Sequence, residues 1–593
     1  MSTRIAKYAT LVSVFFLALG WLVFLFSAIG LFYRETIILS IVAAFLFLLY
    51  IRKYNALPSA QDSGKTSIFV ILVALVVCFA ACYFTTPTVF GGRDQGSIAT
   101  AAIELSKNHG LKIANPIAQD LFQKYGPGKS LNFPGFDYTK NGNLISRFPV
   151  GYTAYLSANF NLFGLKGIQY ANLIPFFLFL VLFWLTLREF FNESVSFLGF
   201  LLAATFFPFL WFAKYALTEI FILFLVWAGI YFLILFRRGL TSTITLCASL
   251  AFFALSSLVR IEGIIFFLLA AAYIIVLNRK KIAKLPGNSR KYLIISSVLL
   301  IAVYMFLNFP ALSDSLKNIA KAFLANSGEE STPSANLYFY LFRVFFSYNI
   351  LAFLILGLAG IVWLGAKMKK NWARAEFLPL FLTFPAFFYL LSPQITLDDP
   401  WLLRRFVFAV FPVIIFYSVY ALSRFFYHKI FLYIVLAGLI VGNIAVNSRF
   451  LTLSENKNLL PQIEKISEKF ESDDLVLVDR LATGSGFSLM SEPLRTIYGK
   501  NAVYFFNAED LRFIDQDRYK NVFLVASFLE AGENFWGKGL EADKKFEVIE
   551  VSNNFLEPPA RYATQRNADG SERDFGLAQN VETKNPIGIW KIK

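Results

Sequence analysis

Apolar runs of roughly 20 residues, returning between positions 10 and 446, set the terms on which this chain can fold. About 20 helical residues cross the hydrocarbon core of a bilayer, and no water is available there to satisfy an open backbone. Each run is therefore a helix or nothing stable. On that rule the sequence predicts about thirteen spans, near 10–31, 35–51, 67–86, 168–187, 194–213, 218–236, 241–258, 262–277, 292–309, 349–366, 376–392, 403–422 and 429–446. The first run is long and lacks a small-residue cleavage site. It leads straight into another span, so it reads as an anchor rather than a removed signal.

A polytopic membrane protein follows, and composition agrees: 57% of the 593 residues are hydrophobic and 69 are Phe, beyond any ordinary soluble domain. The net charge of +16 is mainly topology. Lys and Arg collect in alternate loops, at 4–7, 52–65, 237–238, 279–291, 367–374 and 424–429, and cytoplasmic loops carry such an excess. With the N-terminus inside, the long loop 87–167 and everything after 447 fall outside, and nucleic acid is not an expected partner. Cys78, Cys82 and Cys247 all lie in apolar runs, which removes an external disulfide framework and a Cys-based zinc site. His109 and His428 are the only histidines and lie far apart, which removes a histidine metal cluster.

The outer loop opens on Thr85 to Gly110, TTPTVFGGRDQGSIATAAIELSKNHG. Gly91 and Gly92 permit a sharp turn out of the bilayer. Ile98, Ala101, Ala102 and Leu105 then recur at helical spacing, predicting an amphipathic helix over 97–109 along the interface with Gly110 as its stop. Asp94 sits just ahead of that helix, beside Arg93. Two readings of Asp94 are open: a carboxylate that caps free amides, or one held where a lipid-linked and a soluble substrate meet.

Other ionisable residues fall on the same face. Arg147 precedes Phe148-Pro-Val-Gly-Tyr152, Glu219 starts a span, Arg260 and Glu262 lie between two spans, and Asp398 and Asp399 precede Arg404 and Arg405. Mutual neutralisation, Arg260 by Glu262 or Asp398 by Arg404, is one reading of each group. Taken together, several arginines near a carboxylate suit a phosphate-bearing ligand, because the planar guanidinium grips oxyanions at two points. Tyr138, Tyr152, Tyr155, Trp211 and Trp401 are candidates for stacking on sugar or for an interfacial aromatic belt.

After 447 the apolar runs end and charge rises, so the chain divides into a transmembrane domain, 1–447, and a soluble domain, 448–593. An amphipathic helix over 459–470 and short buried strands at 475–479 and 522–526 predict a small α/β fold. The Gly484-Ser485-Gly486 turn is like part of a phosphate-cradling loop, but the glycine fingerprint is incomplete. Residues 558–586 show no apolar periodicity and read as irregular.

The ordered motifs resemble the C-type membrane glycosyltransferases, in particular the branch of protein O-mannosyltransferases and lipid A aminoarabinose transferases. The likeness rests on Asp94 early in a large outer loop, Phe148-Pro-Val-Gly-Tyr152, Leu217-Thr-Glu219, Val259-Arg260-Ile-Glu262-Gly263, and Arg405-Phe406 followed by Pro412. It spans roughly residues 67–450. The resemblance implies an extracytoplasmic glycosyltransferase that moves a hexose or pentose from a polyprenyl-phosphate donor, with inversion. It implies Asp94 as the essential acid of the first loop, Glu219 as the acid at a span start, and Arg260 and Arg405 near the donor phosphate. Familiar members often carry Asp-Glu where this chain has Asp94-Gln95, and many have one span before the loop rather than two.

The residues are consistent with that chemistry on their own terms. One carboxylate suffices as base, and a phosphate leaving group needs positive charge rather than a proton, so Asp94 with Arg260 and Arg405 or Arg404 is enough. No cofactor is required by this scheme; a divalent cation on Asp94 is the other option. The expected partners are a polyprenyl-linked sugar, a glycan, lipid or protein acceptor, and membrane lipid, at a prokaryotic plasma (inner) membrane. Two competing readings are a transporter or flippase for a polyprenyl-linked sugar, which would favour internal repeats, and a binding module in the tail.

Overall fold

The computed structural model describes residues 2–53, 66–238, 243–277, 291, 335–367, 374–391, 398–425, 428–483, 489–527, 544–557 and 577–592. The expected span at 292–309, most of the basic stretch 279–291, and the Gly484 turn lie outside the described residues. The other twelve predicted spans are helical. Six described helices are long and apolar enough to cross a membrane, or nine if each of three bent pairs counts as one span. Three shorter apolar helices complete the set, 244–257, 262–276 and 375–391.

Helices α1 (Ser2–Ala28), α2 (Arg34–Lys53) and α3 (Thr66–Tyr83) precede the outer loop. That loop is a folded unit rather than a simple connection. It holds α4 (Asp94–Asn108), β1 (Lys112–Ile113), α5 (Pro116–Tyr125), β2 (Gly128–Lys129), β3 (Phe136–Tyr138), β4 (Leu144–Ser146) and α6 (Val150–Phe163). Asn115 caps α5, accepting from the Ala118 amide at 3.0 Å, with Pro116 at the first helical position where a missing N–H costs nothing. The four short strands form an antiparallel sheet in the order β1-β4-β3-β2.

The membrane part continues with α7 (Leu165–Gln169), α8 (Leu173–Arg188), α9 (Glu193–Ala204), α10 (Phe207–Ala213) and α11 (Thr218–Arg237). Helix α11 is apolar almost all round and buried over its whole span, which places it at the centre of the bundle. Around it follow α12 (Thr243–Ser257), α13 (Glu262–Leu277), α14 (Ala335–Ser347), α15 (Leu351–Lys367), α16 (Leu378–Thr383), α17 (Phe388–Leu391), α18 (Arg404–Val407), α19 (Val410–Phe425) and α20 (Lys429–Phe450). The 9–10 and 18–19 pairs bend by 52° and 64°, and α14 turns 103° into α15.

The tail contains α21 (Leu459–Ser467), β5 (Leu475–Val478), α22 (Ser491–Thr496), β6 (Asn501–Tyr504), β7 (Val522–Ser527), β8 (Lys544–Glu557) and β9 (Gln579–Lys591). Strands β6, β5 and β7 are parallel, and an antiparallel β9-β8 hairpin extends the sheet. The strand from Gln579 corrects the expectation of irregular chain up to Pro586. Its polar first half is held by ladder pairing to β8, from Gln579 opposite Glu557 onward, so no buried face stamps a period on it.

The loop and the tail share one core. Phe133, Phe136 and Leu144 of the loop cluster with Leu475, Leu477, Val503, Val522 and Leu524 of the tail. Loop and tail therefore lie on the same side of the bundle.

Candidate active site

The turn into α4 is fixed by close backbone packing. Gly92 has φ +88°, and a Cβ on Gly96 would sit 1.4 Å from the Phe90 carbonyl oxygen, so only glycine lets residues 90–93 fold back on the first helical turn. Arg93 is the extended N-cap residue and makes no side-chain cap bond; Asp94 is the first residue of the helix rather than its prelude. The helix ends at His109, not Gly110. His109 adopts the left-handed conformation at φ 59°, its ring nitrogen 3.0 Å from the Phe32 carbonyl and its face stacked on Tyr33. Every residue from Gln95 to Ser106 is buried. The expectation of a helix floating along the interface is thus corrected: α4 is enclosed between α6 and α22.

Arg93 and Asp94 each reach across to the stretch that runs from Asp398 to Arg404 at the start of α18. Arg404 Nη1 lies 2.5 Å from Asp94 Oδ2, and Arg93 Nη1 lies 3.1 Å from Asp398 Oδ2. Two neighbouring residues of one loop thus pair with two residues of another, about 300 positions away. This crossed clasp replaces the expected local pairing of Asp398 with Arg404. It is partly wet: Asp94 is 40% exposed and Arg404 30%. Arg404 occupies Oδ2 of Asp94, and solvent reaches the carboxylate, so the group has capacity for a further hydrogen bond. Arg93 also lies 5.0 Å over the Trp401 ring.

A second charged group sits deeper. Arg260 Nη1 donates to Glu219 Oε1 at 2.7 Å, while Nη2 and Nε donate to the two oxygens of Glu262 at 2.9 and 3.3 Å. The Thr218 hydroxyl and the Tyr389 hydroxyl complete it, the latter donating to Glu262 at 2.7 Å. Glu219 is 1% exposed. Arg260, Glu219 and Glu262 therefore satisfy one another, and most of the guanidinium is already engaged. Gly151 ties this turn to α6, its amide donating to the Leu258 carbonyl at 2.8 Å where a Cβ would collide.

Arg405 lies within electrostatic reach of both groups, of Arg404 in the one and of Arg260 and Glu262 in the other, with its guanidinium 5.8 Å over the Tyr389 ring. Among the described residues it forms no ion pair. Tyr389 belongs to α17, and its neighbours Phe388 and Leu391 line an apolar groove of about 440 Å³, together with Leu358, Phe377 and Phe381. One short helix thus presents an aromatic hydroxyl to the charges and hydrophobic side chains to the groove.

The other sequence candidates are placed elsewhere. Arg147 pairs with Asp137 on β3 at 3.1 Å, and among the described residues nothing joins it to the clasp. Tyr152 is wholly buried with its hydroxyl on Asn172 at 3.1 Å; Tyr155 bonds the Ala171 carbonyl at 2.8 Å. Tyr138 and Trp211 are also buried, so these four aromatics pack the interior instead of forming a belt or a sugar platform. Gln95 is buried beside Asp94. Asp399 is 1% exposed and accepts from Tyr340 and Tyr348 at 2.8 and 3.1 Å. Burial pushes its carboxyl above the usual range, and the two hydroxyls oppose the shift.

Glu455 and Lys214 are among the residues that escaped the sequence reading. Glu455, at the start of the tail, is buried and accepts from the Leu556 amide at 2.9 Å; burial raises its carboxyl, and the nearby Arg93 opposes this. Lys214 donates to the Phe450 and Leu453 carbonyls at 2.8 and 2.9 Å, and to that of Leu451, closing the C-terminus of α20. For Lys214 the available signal was a charge flanked by apolar sequence; Glu455 sits in the polar stretch Ser454 to Asn458, which gave none. Among the described residues no group of three or more His, Cys, Asp or Glu is placed to hold a metal ion.

No family model matches the chain, and no curated protein matches it in sequence. Solved structures do. ArnT from Cupriavidus metallidurans bound to undecaprenyl phosphate aligns over 89% of this chain and 98% of its own, at 12% identity and a TM-score of 0.50. The apo state of the same protein gives 88% and 97% coverage, 12% identity and a TM-score of 0.48. The Archaeoglobus fulgidus oligosaccharyltransferase in complex with Zn and sulfate gives 77% and 68%, 13% and 0.46. The likeness to ArnT over nearly the whole of both chains shows that this chain shares its fold.

Proposed function

We propose, from the C-type glycosyltransferase fold and the clasp it carries, that this chain transfers a sugar from a polyprenyl-phosphate donor to an acceptor hydroxyl on the extracytoplasmic side. The observation that carries the reading is the placement of Arg405. A cation without an ion-pair partner among the described residues lies within electrostatic reach of Arg404, the partner of a water-accessible carboxylate, and over the ring of Tyr389, whose own short helix lines an apolar groove. A lipid phosphate has the matching parts: an anion for the guanidinium and an isoprenoid chain for the groove. The undecaprenyl phosphate bound to ArnT supports the same substrate class.

In this reading the acceptor O–H gives its proton to Asp94 while its oxygen attacks the anomeric carbon. The bond from that carbon to the phosphate oxygen breaks, and polyprenyl phosphate leaves as an anion. Displacement from the opposite face inverts the centre. Arg405 receives the departing charge first, with Arg404 beside it. Arg260 and Glu219, engaged with each other and with Glu262, hold Tyr389 and the turn in place rather than touch the phosphate. No divalent cation enters the scheme, because guanidinium groups already supply the positive charge and each nearby carboxylate has a partner. The distribution of Lys and Arg supports an orientation with the N-terminus cytoplasmic and the acceptor side outside, and a plasma membrane is the location this reading takes.

The test uses the full chain in lipid nanodiscs with a panel of radiolabelled undecaprenyl-phosphate hexoses and pentoses. Loss of label from the lipid into a new covalent product, with inverted anomeric configuration, is expected. Label that crosses a vesicle membrane chemically unchanged would make the protein a transporter instead.

A further inference from the structure

The tail grips both segments that meet in the clasp. On one side, Arg495 of α22 donates from Nη1 to Glu104 Oε1 of α4 at 2.8 Å, in a pair only 8% and 10% exposed. Its guanidinium lies 5.3 and 5.9 Å over the rings of Phe133 and Phe136. One turn further along α4, Lys107 donates to the Thr496 carbonyl at 2.5 Å. On the other side, Glu455 is buried within electrostatic reach of Arg93, and the Ala578 amide donates to the Tyr348 hydroxyl at 3.3 Å. That hydroxyl in turn donates to Asp399, next to the clasp residue Asp398.

We infer that the tail is part of the apparatus that aims Asp94, and that Arg495 is a positioning residue acting through Glu104. Glu104 lies ten residues along α4 from Asp94, a lever of roughly 15 Å at 1.5 Å per residue. A tilt of about 4° at Glu104 moves Asp94 by about 1 Å over that length. Misplacement of that size costs about a hundredfold in rate when a reacting group must be aligned. A buried pair linking two chain segments about 390 residues apart is suited to suppress such a tilt, because its geometry is not averaged by solvent. This inference rests on the assignment of Asp94 as the base.

The experiment compares Arg495→Gln, Arg495→Lys and the swap Glu104→Arg with Arg495→Glu, in nanodiscs with the undecaprenyl-phosphate sugar that the wild-type chain turns over. Arg495→Gln is expected to lose about a hundredfold in kcat while undecaprenyl phosphate binds within about threefold of wild type. Arg495→Lys, which keeps the charge for the single bond to Glu104, is expected to stay within about fivefold, and the swap to recover to within about tenfold. Wild-type kcat in folded Arg495→Gln overturns the inference. So does a hundredfold loss in Arg495→Lys or in the swap when their thermal midpoints match wild type, which keeps the test decisive if Arg495→Gln fails to fold. Asp94→Asn is assayed alongside. If it is inactive and Arg495→Gln is unaffected, only the positioning role falls; if it is fully active, the base assignment falls and the positioning role with it.

Discussion

The clasp and the buried triad of Arg260, Glu219 and Glu262 are both built from arginines and carboxylates, yet they are opposite kinds of site. In the triad one arginine meets two carboxylates and a threonine, a tyrosine donates to one of those carboxylates, and Glu219 is 1% exposed. In the clasp Asp94 pairs with Arg404 and Arg93 with Asp398, and Asp94 is 40% exposed. A buried ion cluster resists change because any lost partner leaves a charge without compensation. A half-exposed pair contributes about 1 kcal/mol or less to stability, so it is free to exchange partners when substrate arrives. Charge at the membrane face is therefore a poor guide to chemistry until spare hydrogen-bonding capacity is counted.

That contrast is broken most easily from the triad side. Arg260→Ala strands Glu219 and Glu262, and is expected to cost about 3–5 kcal/mol of stability. The readout is loss of monodisperse protein or a lowered thermal midpoint in detergent; an Arg260→Ala chain that stays folded at the wild-type midpoint would place Arg260 in the reaction rather than the scaffold. Arg405→Ala tests the opposite prediction. It should leave the midpoint within about 0.5 kcal/mol of wild type while lowering kcat/KM for the lipid donor about a hundredfold, or about 2.7 kcal/mol. Equal loss of stability and activity would show that Arg405 belongs to the framework too.

Smaller effects sharpen the boundary. Tyr389→Phe removes one donor from Glu262 while keeping the ring beneath Arg405, and should destabilise by about 1–3 kcal/mol. A thermal shift decides this, and no shift would mean that Glu262 is satisfied by Arg260 alone. Chelation by EDTA is the smallest expected change: transfer is predicted to persist within about twofold, since the charge is supplied by guanidinium groups. Abolition by EDTA with recovery on adding a divalent cation would put a metal at Asp94.

Much of this molecule is legible in its sequence, and the remainder is hidden for identifiable reasons. Long apolar runs must become helices in a bilayer, and twelve predicted runs do so. The outer loop was opaque because its strands are two or three residues long, too short for alternation to register. Asp94 and Arg404 could each be singled out, but not their pairing, since no local rule joins residues about 300 apart. Local proximity suggested Arg260 with Glu262, which the structure contains; it also suggested Asp398 with Arg404, which the clasp replaces. The stop at His109 instead of Gly110 depends on a ring stacked on Tyr33, a tertiary contact that outweighs the glycine preference.

The claim on which the account turns is that Asp94 removes the acceptor proton, and a single-turnover comparison of wild type with Asp94→Asn tests it directly. Asparagine keeps the shape and a hydrogen-bonding oxygen toward Arg404, so undecaprenyl phosphate should bind within about threefold of wild type while transfer slows by about a thousandfold or more. Transfer at the wild-type rate in Asp94→Asn, with donor bound equally well, would contradict it.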